Sequence, residues 1–258
     1  MRTLQDKVII VTGSTMGIGE SIARGAVRAG ARVLVHGLEQ EEGQRVADSL
    51  GAQAVFHADD LTDPAAAPRL VDAAVRAFGR IDAVVNNAAW VVRGRIGDVT
   101  PEFFDRCMAV NVRAPLLLIQ AALPHLSAAR GCVVNIGSVN AYCGEENLLP
   151  YSISKGALMT LTRNLGDTLH RQHGVRVNQI NPGWVLTEAE QHRKHAEGMP
   201  ADWPAHLSKM FAPAGRLFTP REIAATVLHF LSDEFGPVSG SVIDLEQHPF
   251  IGRNPPKL

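Results

Sequence analysis

The feature that most restricts what this chain can fold into is an alternation of two periods. Short β-branched runs, apolar on both faces, take turns with longer segments whose apolar residues recur three and four apart. Lys7-Val8-Ile9-Ile10-Val11-Thr12 is the first such run and stops at Gly13. After it, Ile18, Ile22, Ala26 and Ala29 mark one face of a helix that Gly30 closes. The cycle then repeats. Strands are expected over residues 31–35, 53–57, 81–85, 132–136, 175–180 and 241–245, with helices over 41–50, 64–78, 101–126, 151–170 and 220–231. A strand that is apolar on both faces belongs to a parallel sheet covered by helices on both sides. Regular β-α alternation of such strands predicts an α/β fold, a doubly wound parallel sheet with right-handed crossovers. No repeat, low-complexity tract or linker divides residues 1–258, so a single domain is expected. The one break in the pattern is 187–215, a polar insertion rich in Glu, His, Lys and Pro that reads as a substrate lid.

With 258 residues the chain can bury a sizeable core, and a 46 % hydrophobic fraction near zero net charge excludes disorder. Lys and Arg number 25 against 26 Asp and Glu, a balance that argues against nucleic acid as a partner. No apolar run approaches the roughly 18 residues of a membrane span, so no membrane is expected either. Met1 to Lys7 lead straight into a strand, with no signal-peptide core. Cys107, Cys132 and Cys143 are odd in number and form no CxxC pair, which argues against a disulfide framework or a Cys-rich metal site. His192 and His195 lack an acidic partner and read as solvated lid residues, so no metal is expected. The default compartment is a reducing cytoplasm.

In a doubly wound sheet, ligands bind beyond the carboxyl ends of the strands. The first strand-to-helix turn is Thr12-Gly13-Ser14-Thr15-Met16-Gly17-Ile18-Gly19. Its glycines permit positive φ and close backbone approach, and the following helix turns its free N–H groups toward the same spot. That combination suits a pyrophosphate. Further along, Tyr151 and Lys155 lie four apart on an expected helix and so share a face. A phenol of pKa ~10 needs ~4 kcal/mol of preferential phenolate stabilisation to act as a base near pH 7. One ammonium ~4 Å away at an effective dielectric of ~20 supplies about that much. Ser138 ends a strand-like run, where its hydroxyl can donate to a substrate oxygen and stabilise developing alkoxide charge.

The glycines of Gly13, Gly17 and Gly19 are spaced TGxxxGxG. Asn86-Asn87-Ala88-Ala89 follows the fourth strand, Asn111 sits inside a helix, and Ser138 follows the fifth strand. Tyr151-Ser152-Ile153-Ser154-Lys155 and then Asn181-Pro182-Gly183, with Thr187 four residues on, complete the series. In these motifs, in register from Lys7 to Leu245, the sequence resembles the short-chain dehydrogenase/reductase family. The resemblance implies a Rossmann-like fold, a nicotinamide cofactor, and Asn111, Ser138, Tyr151 and Lys155 as the catalytic group. By the same resemblance Lys155 holds the nicotinamide ribose, and Asn111 disturbs its helix and orders a water that extends a proton relay. Gly13, Ser14, Met16, Gly17, Ile18 and Gly19 would cradle the cofactor phosphates. Gly37, Leu38, Asp60 and Leu61 would meet its adenosine half. Asn87, Ala88, Pro182, Gly183, Val185 and Thr187, with Tyr151 and Lys155, would hold the rest. The family also implies a homo-oligomer, dimer or tetramer, contacting through helices 101–126 and 151–170, with C-terminal segments packed across subunits.

Some positions depart from the family. Ala89 stands where NNAG has Gly, and Glu246-Gln247-His248 where many members have Asp-Gly-Gly. At the end of the second strand, Gly37 and Leu38 offer neither the usual acid nor the usual base, and Met16 takes a site often basic in NADP users. Glu39, Glu41 and Glu42 make the vicinity acidic, which favours NAD over NADP, although His36 and Arg45 can turn inward. Trp90, Arg93, Asn140, Glu145, Glu146, Asn147, Trp184, His192 and Arg193 are expected around the substrate, with Arg93 or Arg193 forking onto any carboxylate. That set suits a small hydroxyl-rich molecule, a sugar, sugar acid or polyol. The alternatives are a 3-oxoacyl thioester reductase, for which Arg93 and Arg95 would begin a basic docking patch, and a dinucleotide-binding sensor without turnover. The run 188–197 reads as a wet surface, Cys143 as a packing residue, and Pro115 as a kink.

Overall fold

A computed structural model describes residues 4–248. The C-terminal residues 249–258, including the segment expected to pack across subunits, lie outside the described part. Seven strands form one sheet: β1 (Val8–Val11), β2 (Arg32–Gly37), β3 (Ala54–Ala58), β4 (Ala83–Asn86), β5 (Cys132–Ile136), β6 (Arg176–Pro182) and β7 (Val242–Leu245). Every pairing is parallel, in the order β3-β2-β1-β4-β5-β6-β7. The order reverses between β1 and β4, and that switch point opens the crevice where a ligand can enter.

The both-face apolar pattern has the cause the sequence suggests. Ile9, Val11, Val33, Val35, Ala83 and Val85 face one core, with Ile22 and Ala26 of α1 (Gly17–Arg28) and Val227 of α8 (Pro220–Leu231). Ile10, Leu34, Val84 and Val133 face the other, under Leu70 of α3 (Ala66–Phe78) and Leu118 and Ala122 of α5 (Ala114–Ala129). Each fully buried aliphatic side chain contributes roughly 1.5–3 kcal/mol, so alternate residues of every central strand hold a helical layer in place. α2 (Gln40–Leu50) covers the β2–β3 edge, and α6 (Leu149–His173) runs beside β6. Element ends fall within a few residues of the expected ones. α6 extends further at both ends, with Pro150 in its first turn and Gly174 at φ 68 closing it.

Two corrections concern helices. The stretch expected to kink at Pro115 is instead α4 (Pro101–Met108), a π-helical turn over Ala109–Arg113, and then α5, with Pro115 tolerated in the first turn of α5. From Pro101 to Ala129 this stretch also reaches the length and mean hydropathy, 1.4, of a membrane span. Here it is a core element: Leu118, Ile119, Ala122 and Leu126 are buried. Second, the run 188–197 is exposed for most of its length as expected, but it folds as a helix, α7 (Glu188–Ala196), with Lys194 buried. It is capped by Thr187, whose hydroxyl accepts from Glu190 N at 3.1 Å.

The segment from α7 onward is pinned at its base. Leu186 N donates to Phe218 O (2.7 Å) and Phe218 N to Trp184 O (3.1 Å), bringing the two ends together. Gln247 adds a second tie, accepting from Ala214 N (3.0 Å) and donating to Arg216 O (2.7 Å). Between these points Trp184 stacks on Trp203 with ring centroids 5.3 Å apart, and Ala212 and Leu217 complete a small satellite core. All three cysteines carry free thiols, and among the described residues no His, Cys, Asp or Glu cluster is arranged to hold a metal ion.

Candidate active site

The turn after β1 is built around its glycines. Gly13 has φ +61, and a Cβ there would lie 2.8 Å from Ala88 Cα; at Gly19 it would lie 2.1 Å from Gly13 O. Asn87 fixes the turn from the β4 side, donating from Nδ2 to Thr12 O (2.9 Å) and Gly13 O (2.8 Å). α1 begins without a side-chain cap at Met16, so its first N–H groups remain directed at the crevice. Gly17 has φ +59, and its Cα faces the Thr187 side chain across the gap. Uncapped amides, a close-packed glycine turn and a threonine on the far wall fit the diphosphate of a dinucleotide.

The cleft over this turn has a volume of about 370 Å³. It is lined by Gly13, Met16, Gly17, Ile18, Gly37, Leu38, Asp60, Leu61, Asn87, Ala88 and Thr187, as expected. Ser14 and Gly19 do not line it. Ser14 is buried beneath, donating to Val11 O (2.7 Å) and accepting from His36 N (3.0 Å), while Gly19 packs on the Gly13 carbonyl. Glu39 lines it on the acidic side expected. Sequence reasoning missed Thr15, Arg106 and Glu188, which also line the cleft, while Trp90, expected at the substrate, faces it instead. Arg106 stands 4.8 Å over the Trp90 ring, a cation–π pair between a loop and α4.

His36 does not serve as an inward-turned cation. Its Nδ1 accepts from Gly13 N (3.2 Å), its Nε2 lies 3.2 Å from Asp59 O, and burial lowers its pKa to about 4. The ring is therefore neutral at pH 7, with the proton on Nε2. Arg45 is exposed and lines no part of the cleft. Glu39 instead swings over the end of β2, accepting from Thr15 Oγ1 at 2.9 Å.

Beside this cleft lies a second cavity of about 240 Å³, lined by Ser138, Tyr151, Lys155, Pro182, Gly183 and Val185 among others. Ser138 follows β5 and caps a short 3-10 turn, its hydroxyl accepting from Asn140 N (3.1 Å), while Asn181 Oδ1 accepts from Ser138 N (3.1 Å). Tyr151 and Lys155 project from one face of α6, with the Lys155 ammonium 5.6 Å from the phenol ring centroid. That ammonium donates to Ile136 O at 2.7 Å. Burial pushes the Tyr151 phenol up to about 12, against a hydrogen bond from Ser138 that favours the phenolate. Burial likewise brings the Lys155 ammonium down to about 8. At pH 7 the phenol is therefore neutral while the ammonium stays mainly charged, and at Tyr151 desolvation outweighs the phenolate stabilisation expected from the lysine.

Asn111 lines neither cavity. It occupies the π-helical turn, and its side chain is fully engaged. Oδ1 accepts from Trp90 N (2.7 Å), and Nδ2 donates to Trp90 O (3.2 Å) and Ser154 Oγ (3.0 Å). The amide thus clamps the loop after β4 to the helix that carries Tyr151.

Of the expected substrate contacts, Arg93, Asn140, Glu145, Trp184 and Arg193 line the catalytic cavity. Trp90 turns to the dinucleotide cleft, His192 is exposed, Glu146 pairs with Arg95 at 3.5 Å, and Asn147 spends its carbonyl on Gly94 N at 2.8 Å. Arg193 is not free to fork onto a substrate: it is held by Glu190 and by Glu197, the latter at 2.7 Å. Lys194 and Glu190 line the cavity unforeseen. Lys194 is buried, its ammonium 3.0 Å from Glu197 and 5.7 Å from the Trp184 ring centroid. A charged side chain that buries its stem leaves no hydrophobic period to read.

Residues 13–246 match the family model described as enoyl-(acyl carrier protein) reductase. The chain is 35 % identical over 248 residues to 2-(S)-hydroxypropyl-CoM dehydrogenase 3 of Xanthobacter autotrophicus, covering 94 % of this chain and 96 % of that protein. It is 34 % identical over 229 residues to L-fucose dehydrogenase of Bos taurus, covering 88 % and 83 %. A crystal structure of 3-ketoacyl-(acyl-carrier-protein) reductase from Brucella melitensis, complexed with NADH, superposes with a TM-score of 0.82 at 28 % identity, over 94 % of this chain and 97 % of that one. Such likeness, running from the glycine turn to the last strand, shows that the chain belongs to the short-chain dehydrogenase/reductase family of NAD(P)-dependent oxidoreductases.

Proposed function

We propose that the protein is an NAD-dependent dehydrogenase/reductase of a small polar alcohol or its carbonyl, a sugar, sugar acid or polyol. One observation carries the reading: Ser138, Tyr151 and Lys155 face a single cavity of about 240 Å³ that adjoins the dinucleotide cleft. A bound nicotinamide supplies or accepts the hydride. This chain's residues manage the proton. Tyr151 gives its phenolic proton to the carbonyl oxygen in reduction and takes the hydroxyl proton in oxidation. Ser138 donates a hydrogen bond to the same oxygen as charge gathers there. Lys155, anchored on Ile136 O, sets a positive charge beside the phenol and would hold the ribose of a bound nucleotide.

The size and polarity of the cavity support a compact substrate. Asn140, Glu145 and Arg93 on its wall give a compact polar substrate groups to meet, while Arg193 and Glu190 are already paired with each other. A 3-oxoacyl thioester reductase is the alternative that the likeness to the Brucella enzyme favours. Arg93 and Arg95, the expected start of a docking patch, face Glu197 (3.4 Å) and Glu146 (3.5 Å) instead. The intact set Asn111, Ser138, Tyr151 and Lys155 counts against a sensor without turnover.

The preference for NAD rests on charge. Glu39, Asp60 and Glu188 outnumber Arg106, the cation lining the dinucleotide cleft, while Asp59 is held by Arg69 and His36 is neutral there, so a 2′-phosphate near −2 meets mainly acids. Assembly as a dimer or tetramer is supported by half-exposed Leu116 on α5 and Ile153 on α6, 41 % and 45 % exposed. The test is a panel of sugars, sugar acids, polyols and 3-oxoacyl thioesters followed by nicotinamide absorbance with both nucleotides. Efficient turnover of the thioesters alone would reject the substrate reading, and a higher kcat/KM with NADP the nucleotide preference.

A further inference from the structure

The two adjoining cavities carry opposite charge. Among the dinucleotide cleft's lining residues four carboxylates, Glu39, Asp59, Asp60 and Glu188, stand against the single cation Arg106. Among those of the catalytic cavity the balance reverses. Arg93, Lys155, Arg193 and Lys194 stand against Glu145 and Glu190. Lys155 belongs to the chemistry already described; the other three cations do not. They come from two separate elements, the loop after β4 and α7, and converge on one carboxylate, Glu197, at 3.4 Å (Arg93 Nε), 2.7 Å (Arg193 Nη1) and 3.0 Å (Lys194 Nζ). Glu197 itself is not part of the cavity wall.

Arg193 is committed on both arms, to Glu190 and Glu197. Arg93 is not. Its one recorded ion pair is the loose one through Nε, and its terminal nitrogens make no hydrogen bond among the described residues. Its backbone is nevertheless fixed relative to Tyr151. The next residue, Gly94, donates to Asn147 O (2.8 Å) and accepts from Leu149 N (3.2 Å), a bridge onto the start of α6. The result is a guanidinium with open donors on the wall of the catalytic cavity, on a backbone tied at Gly94 to the start of the helix that carries the acid/base phenol.

We infer that the substrate bears a compact oxyanion group, which the Arg93 guanidinium binds while Tyr151 addresses the carbinol or carbonyl carbon's oxygen. This rests on the proposed reaction class and narrows it from polar alcohols at large to hydroxy or oxo anions. Lys194 and Arg193 are already neutralised by Glu190 and Glu197, so recognition of the anion falls to Arg93. The planar array of donors on Arg93 matches a carboxylate in two parallel hydrogen bonds better than it matches any hydroxyl. A sulfonate or a phosphate ester shares that chemistry and differs in size and charge.

The experiment uses the full chain with NAD bound and pairs of substrates equal in chain length. Each polyol is set against the aldonic acid, the hydroxyalkyl sulfonate and the phosphate ester derived from it. Two quantities are measured, kcat/KM by nicotinamide absorbance and binding by calorimetry, in wild type, Arg93→Gln and Arg93→Lys. Expected is a kcat/KM at least tenfold higher for one anionic series than for its neutral partner. Arg93→Gln should lower that ratio 10- to 100-fold, with Arg93→Lys between the two because it keeps the charge and loses the planar donors. The nucleotide's own dissociation constant should stay within about twofold, since Arg93 lines only the catalytic cavity. Neutral polyols turning over as well as every anion, or a ratio unmoved by Arg93→Gln, overturns the inference and leaves the reaction class standing. Calorimetric binding of an anion that depends on Arg93, with no turnover of any alcohol or carbonyl, does the reverse.

Discussion

At Tyr151 the free chain holds a phenol that is reluctant to ionise, with a pKa pushed up to about 12 by burial. A proton-loaded phenol is ready to act as an acid, whereas alcohol oxidation must first remove that proton. Oxidation should therefore speed up as pH rises from roughly 7 to 9, while carbonyl reduction should not, and steady-state profiles in the two directions show the difference. Tyr151→Phe should lower kcat by about 10²- to 10⁴-fold with little change in NADH affinity, because it removes only the phenolic oxygen. Lys155→Ala should damage both, which fluorescence titration of NADH measures separately. A Phe variant with near-normal turnover contradicts the mechanism. His36 supplies a second pH effect, on stability. It is neutral in the fold with a pKa of about 4 and ordinarily titrates near 6.5, so below 6.5 the unfolded chain takes up a proton that the folded one refuses. The stabilisation is complete above pH 6.5 and declines as pH falls toward 4, by on the order of 3 kcal/mol at most. Comparing Tm against pH for wild type and His36→Asn isolates this slope; parallel curves would show that the ring contributes nothing.

Among the elements, the π-helical turn does something no regular helix could. One extra residue in the turn directs the Asn111 amide onto both backbone groups of Trp90 at 2.7 and 3.2 Å. Asn111→Ala should cost about 1–3 kcal/mol by leaving the Trp90 N–H unpaired, seen as a lower Tm together with a changed Trp90 emission. An unchanged Tm would mean that water replaces the amide at no cost. The strands and the helices over the sheet were legible in the sequence because two-face burial writes itself as unbroken apolar runs such as Val8–Val11. The catalytic cavity was legible because Tyr151 and Lys155 are local neighbours on one helix, four residues apart. What escaped notice was non-local or masked by charge. Trp90 meets Arg106 across a loop and a helix, and Lys194 hides a buried stem inside a run of ionised residues. The disturbed helix at Asn111, by contrast, was foreseen through the family resemblance alone, since a π-helical turn leaves no spacing mark. Arg193 pointed to a substrate only while Glu190 and Glu197 were read as solvated; in the fold they claim it first.

For the molecule as a whole, the two cavities are not independent rooms. Ile18, Asn87, Ala89, Val91 and Thr187 line both, so the partition between them is only one side chain thick. A nucleotide seated across that partition becomes part of the substrate's surroundings, covering the open side that faces Tyr151. The kinetic consequence is a compulsory order: nucleotide on first and off last, with the alcohol or carbonyl exchanging only in the binary complex. Initial-rate patterns should then intersect, and the product nucleotide should compete with the substrate nucleotide while the organic product does not. Calorimetry should find the organic substrate binding at least tenfold more weakly when the nucleotide is omitted. Equal affinity in both conditions would mean random addition, with each chamber filling without regard to its neighbour.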